Sequence, residues 1–248
     1  MPNFLPDLPV EGIMECLRRS PGHEVRTGKM DGPESSAALV ANAFGWFLHR
    51  ASKFPTMQGV PCGPVTSVTL EAEMRYPWKE GRHPWLDVAL ESATTLVGIE
   101  ARRYEPFRPA KASGFAEIYD RPVWREKLPR FTALRDDLVK GNIGFESLDA
   151  VGLIKSAYGL WTRAEKRATG AVLVYLYADP QTWANGKAVD PALKARHRKE
   201  LAEFSRLIAG DGVSFVRLRW ADLLSSWGAK PELADHVAGL RGMFPDLG

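Results

Sequence analysis

One run limits what this chain can fold into more than any other: "GAVLVYLYAD", residues 170–179. It is rich in β-branched and aromatic residues and shows no alternation of polar and apolar positions. A strand with one wet face alternates, whereas an unbroken apolar run marks a strand covered on both faces. Such a strand sits inside a sheet with a layer on either side. Its neighbours can be found in the same sequence. "VTSVTLEAEMRYPW" alternates, with Val68, Leu70, Ala72 and Met74 to one side and Thr69, Glu71, Glu73 and Arg75 to the other. "HPWLDVALESATTLVGIEARRYEPF", from His83 to Phe107, reads as two strands turning at Ala93–Thr94. "VSFVRLRW" adds a fifth strand.

Helical spacing fills the gaps. In "PESSAALVANAFGWFLHRAS" the residues Leu39, Ala43, Phe44, Phe47 and Leu48 share a face, and Pro33, Glu34, Ser35 and Ser36 are helix-start chemistry. "LDAVGLIKSAYGLWTRAEKR" is amphipathic. "DPALKARHRKELAEFSRLIAGDG" opens on an Asp190 cap with Pro191 in the first turn. "ADLLSSWG" reads as a short closing helix. Residues 1–33, with five prolines at 2, 6, 9, 21 and 33, read as an irregular arm with a turn or two of helix near Glu11–Arg19. Residues 108–149 are mixed, with short helices. The expected fold is therefore α/β: one domain over 1–248, a meander of three strands, then strands alternating with helices and free to pair in parallel.

Composition agrees. The chain has 248 residues, 45% apolar and 25% charged, enough to bury a core without disulfides or metals. A net charge of +3 makes no case for an acidic partner, although a local basic surface is allowed. Cys16 and Cys62 form no CxxC pair and have no His at ligand spacing, which points to a reduced, cytoplasmic setting without structural zinc. No basic start followed by an apolar run marks a leader, and the longest apolar stretch, "AALVANAFGWFL", is too short to span a bilayer. No membrane partner is expected, and a homo-oligomer is compatible with the sequence. The lack of GxSxG, Walker, GxGxxG and HExxH patterns weighs against serine hydrolase, NTPase, dinucleotide and metalloprotease chemistry.

The hairpin raises a chemical question. With the turn at Ala93–Thr94, Asp87 faces Glu100 and Trp85 faces Arg102, while Leu86, Val88, Leu90, Val97, Ile99 and Ala101 share the opposite, wholly apolar face. Two carboxylates opposed at roughly 5 Å repel. A raised pKa on one acid, a nearby Arg or Lys, or a bound cation would offset this. Two carboxylates on a strand pair suit Mg²⁺ (or Mn²⁺). The same residues also read as an acid–arginine pair on a solvated sheet face.

Asp87 followed by Glu100-x-Arg102 on a hairpin, behind a helix and a strand, resembles the PD-(D/E)XK nuclease superfamily. More narrowly, the chain looks like a bacterial family of restriction-endonuclease-like proteins. "SSAALVANAFG", "GRHPWLDVALES", "LVGIEARRYEPF", "LVYLYADP" and "VSFVRLRWADLLSSW" carry the likeness across about residues 34 to 228. The resemblance implies a restriction-endonuclease-like mixed central sheet flanked by helices, and Mg²⁺-dependent hydrolysis of DNA phosphodiesters. It implies that Asp87, Glu100 and the Ala101 carbonyl bind the metal. Arg102 falls where the family has its lysine. Arginine stays charged and is no general base, but it can stabilise charge on a transferring phosphate. Glu71, Glu73 and Glu34 are candidates for a third acid, and each also reads as a surface charge. Lys155 is the candidate for a displaced lysine and also reads as an ordinary surface residue. Glu105 reads as an edge or turn charge.

A second constellation interleaves Arg108, Lys111, Arg121, Arg125, Lys127 and Arg130 with Phe107, Tyr119, Trp124 and Phe131. Such a pattern can track a nucleic-acid backbone, with Arg121, Arg125 and Lys127 as the central contacts. It also reads as a solvated insertion whose aromatics enter the core. "KARHRKE" is a further basic run on a wet helix face, and His197 reads as a packing residue.

Overall fold

The computed structural model describes residues 3–22, 25–109 and 113–248, so Lys111 lies outside the described residues. Five strands form one mixed sheet in sequence order: β1 (Val65–Glu73), β2 (Trp85–Ser92), β3 (Thr95–Arg102), β4 (Gly170–Tyr177) and β5 (Val213–Arg219). β1–β2–β3 is the expected antiparallel meander, and β4 and β5 join in parallel. The β2–β3 register, Val88 against Ile99 through Glu91 against Leu96, places the turn at Ala93–Thr94. β4 is buried along nearly its whole length, as its unbroken apolar run requires.

Helices cover both faces. On one lie α1 (Val10–Arg19), α2 (Ser36–Gly45), α6 (Trp220–Gly228) and α7 (Ala234–Met243), packed with Val88, Leu90, Val97, Ile99 and Ala101. On the other lie α3 (Pro129–Lys140), α4 (Ala150–Lys166) and α5 (Pro191–Leu207), packed with Ala89, Leu96, Leu173 and Tyr175. Two caps match the sequence, Ser35 accepting from the Ala38 N–H and Asp190 from Ala192, and Asp149, accepting from Gly152, adds one it did not name.

Three expectations change. The arm carries more helix than a turn or two: α1 runs for ten residues, and its Ile13 and Leu17 enter the core. α7, which no sequence pattern singled out, follows α6 and buries Val237 and Leu240. Leu86 belongs to the α4 side, not to the face shared by Val88 and Leu90. Its partner Ala72 follows Glu71, whose left-handed backbone (φ 49°) breaks the alternation of β1, and both residues turn toward the second core.

α4 decides what reaches the sheet. Gly98 in β3 faces Leu86 and Leu160, and a Cβ there would collide with the Leu86 side chain. Gly159 in α4 sits on Met74 and Pro84, where a Cβ would come within 2.7 Å of Met74. The two glycines let α4 lie close against the strands, and Arg163 and Arg167 clamp it to Glu91 of β2 at 2.7 and 2.9 Å.

Candidate active site

Asp87, Glu100 and Arg102 meet where β2 and β3 part. The ladder between them ends at Val88 and Ile99, and beyond it the Asp87 side chain takes over, its Oδ2 accepting the Ala101 N–H at 2.6 Å. Arg102 closes the cluster. Its Nη1 donates to Asp87 Oδ2 (3.3 Å) and to the Ala101 carbonyl (2.8 Å), and its Nη2 donates to Glu100 Oε2 (3.0 Å). Three hard oxygens from Asp87, Glu100 and Ala101 thus converge on one cation, the guanidinium.

The cluster is not on an open face. Glu100 lies under α4, which reaches it through Ser156, whose hydroxyl donates to Glu100 Oε1 at 2.7 Å. The Glu100 side chain is 7% exposed, Arg102 23% and Asp87 27%. Desolvation pushes both carboxyls up, against the pull of Arg102. For Glu100, with Asp87 adding to the rise, the result is about 7. Burial alone would lower the Arg102 guanidinium, but Glu100 and Asp87 outweigh it and hold the charge in place. Two of the three offsets left open by the sequence act here, a raised pKa and an arginine.

The donor set suits a hard divalent ion, since carboxylates and a backbone carbonyl are Mg²⁺ or Mn²⁺ ligands. Asp87, Glu100 and Ala101 would hold it. The same oxygens already share the guanidinium, so an ion and Arg102 in its present rotamer compete for one seat. Among the described residues no three His, Cys, Asp or Glu side chains group as a ligand set.

The other named acids lie elsewhere. Glu34 pairs with Arg108 and accepts the Ala184 N–H. Glu73 pairs with Arg75 at the end of β1, and Glu71 lies toward Cys16 of α1. Glu105 is closer to the cluster than its sequence position suggested. It accepts from Ser36 at the start of α2 and from the Arg103 N–H, and its charge raises the Asp87 carboxyl. Lys155, although next to Ser156, turns away: its Nζ donates to the Gly114 carbonyl and lies over Phe115 and Tyr119.

Of the expected nucleic-acid contacts, Arg121 lies over Trp78 and Lys127 pairs with Glu165, while Arg125 is exposed. Glu165 is nine residues past Ser156, about 13 Å along α4. Tyr119, Trp124 and Phe131 enter the core, as the insertion reading requires.

Ser156, Tyr175 and His197 are the site residues that sequence reasoning missed or left as packing. Tyr175 stands beside Glu100 in the β3–β4 register, and its hydroxyl bonds His197 Nε2 at 3.0 Å. Burial lowers His197 to about 4, so the ring is neutral. An apolar α4 periodicity hid Ser156, and only the helix's contact with β3 reveals it.

Fold and site together define a mixed α/β protein with a buried acid–arginine cluster where its antiparallel meander meets its parallel strands. Compared with family models, curated proteins and solved structures, the chain matches none. Among the described residues no helix is long and apolar enough to cross a membrane.

Proposed function

We propose that this chain is a restriction-endonuclease-like nuclease that hydrolyses DNA phosphodiester bonds with Mg²⁺ or Mn²⁺ at Asp87, Glu100 and Ala101. One observation carries the proposal: a carboxylate from β2, a carboxylate from β3 and the carbonyl between Glu100 and Arg102 converge on a single cation position. When bound, a divalent ion there supplies charge for the phosphate oxygens and acidifies water. The chain's own residues do the rest. Ser156 fixes the Glu100 carboxylate, and the Ala101 N–H fixes Asp87. Arg102, permanently charged, is the donor for charge building on the phosphate.

A second reading rests on the guanidinium itself. Arg102 fills the cation position, so the cluster is already balanced, and the chain then binds nucleic acid without cutting it.

A cleavage assay with wild type, Asp87→Ala and Arg102→Lys separates the two. The nuclease proposal expects metal-dependent cutting that Asp87→Ala abolishes and Arg102→Lys raises. If all three proteins are equally inert on DNA and RNA, the nuclease proposal falls and the second reading stands.

A further inference from the structure

Beyond Arg102, the parallel strands carry basic and aromatic side chains out to the sheet edge. In the β3–β4–β5 register Glu100 lies beside Tyr175 and Tyr175 beside Arg217; one step on, Arg102 lies beside Tyr177 and Tyr177 beside Arg219. Residues paired in register project from one face, so these rows share the α4–α5 side with the cluster. Adjacent strands are about 4.8 Å apart, which sets Arg219 about 10 Å from Arg102 across the sheet.

The chemistry changes along the row. Glu100 and Tyr175 are buried, Tyr177 is half-buried, and Arg217 and Arg219 are exposed on β5, the edge strand. The Tyr177 ring stacks on Tyr175 at 5.8 Å and meets His197 edge-on at 5.3 Å, so it is held from below. Arg219 is oriented by a two-pronged pair with Asp222, Nε and Nη2 each at 2.8 Å, which leaves Nη1 free of that pair. Arg217 makes no ion pair among the described residues. Arg198 of α5, paired with Asp179, flanks the same rim.

The geometry points to a DNA-strand track over the ends of β3, β4 and β5, with phosphates on Arg217 and Arg219 and a base against Tyr177. A supported aromatic beside exposed guanidiniums is an arrangement that binds single strands without reading sequence. The inference rests on the nucleic-acid reading proposed above. It gives the substrate a route to Arg102 along the strand register itself, whereas Lys127 of the other basic segment lies by Glu165, toward the far end of α4.

The test is fluorescence anisotropy with a labelled single-stranded oligonucleotide and its duplex, over a series of salt concentrations without metal. Wild type, Arg217→Gln/Arg219→Gln, Tyr177→Phe, Tyr177→Ala and Arg121→Gln/Arg125→Gln are compared, with circular dichroism to check folding. The edge double variant should bind the single strand at least about ten-fold more weakly, and its slope of log affinity against log salt should fall by about 1.4, since two phosphate contacts are lost. Tyr177→Ala should weaken binding by about ten-fold at unchanged slope, and Tyr177→Phe should bind like wild type. The Arg121/Arg125 pair should leave affinity and slope unaltered. If the edge double variant binds with the wild-type slope while Arg121→Gln/Arg125→Gln loses it, the track is overturned and the nucleic-acid reading survives. If wild type binds neither probe at low salt, both fall.

Discussion

Replacing Arg102 with methionine keeps the stem and removes the charge. Wild-type Arg102 donates to Asp87, Glu100 and the Ala101 carbonyl. Without it Glu100, nearly buried, retains only Ser156. Breaking a buried ion pair from one side costs about 3–5 kcal/mol. Asp87, 27% exposed, recovers part of its loss from solvent and adds little. The cost depends on pH. Glu100 is raised from 4.5 to about 7 in the folded chain, so the folded state holds that proton more tightly than the unfolded state. Its contribution to stability is complete below pH 4.5 and declines as pH rises through about 7. Removing Arg102 takes away the charge that limits this decline. At pH 8 the variant should lose the full amount. At pH 4.5 a neutral Glu100 leaves mainly the lost hydrogen bonds, about 1–2 kcal/mol. Urea unfolding of variant and wild type at both pH values measures the difference. With a slope of about 3 kcal/mol/M, the midpoint should drop by more than about 1 M at pH 8 and by about half of that at pH 4.5. An equal drop at both, or a loss below about 1 kcal/mol at pH 8, would refute the reasoning.

Three other outcomes follow from the same packing. His197, lowered from 6.5 to about 4, contributes stability that is present above pH 6.5 and is lost as pH falls toward 4. This slope opposes that of Glu100 in the same window, so His197→Phe should make stability decline more steeply from pH 4.5 to 7, and an unchanged stability–pH profile would contradict it. Ser156→Ala removes a hydrogen bond that lowers Glu100, so the acid limb of the pH profile for cleavage should move to higher pH; a limb that stays put would remove Ser156 from the site. Arg103, 1% exposed, donates to the Pro33 and Pro245 carbonyls and so ties the chain before α2 and the chain after α7 to β3. Arg103→Met should cost about 2–4 kcal/mol in thermal or urea unfolding, and a change within about 0.5 kcal/mol would show those ties to be idle.

Periodicity makes most of the sheet legible in the amino-acid sequence. The shared face of Val68 and Leu70, the turn at Ala93–Thr94 and the unbroken run through β4 each follow from a rule that acts within a few residues. What escapes such rules depends on distant neighbours. Leu86 changes face because Glu71, fifteen residues earlier, adopts a left-handed backbone. α1 holds because Ile13 finds a place against α2 and β1, which the proline-rich arm does not announce. Within the site, strand pairing places Asp87 and Glu100 one step beyond the ladder's last pair, Val88 and Ile99. The expected opposition of Asp87 to Glu100 and of Trp85 to Arg102 is not part of the ladder, because the strands part there and the Asp87 side chain takes the Ala101 N–H. The burial of the cluster cannot be read from strand pairing either, because Gly98 and Gly159, far apart in sequence, jointly admit α4. Glu105 resembles a turn charge and is in fact a neighbour of the cluster, since the chain folds back toward α2 just after β3.

The central claim is that Asp87, Glu100 and the Ala101 carbonyl form one cation seat, which Arg102 shares with a divalent ion. Calorimetric titration of Mn²⁺ into wild type, Arg102→Ala and Asp87→Ala/Arg102→Ala tests it most directly. The account predicts that Arg102→Ala binds Mn²⁺ more tightly than wild type, and that adding Asp87→Ala abolishes the gain. Equal binding by wild type and Arg102→Ala, or a gain that survives Asp87→Ala, would contradict it.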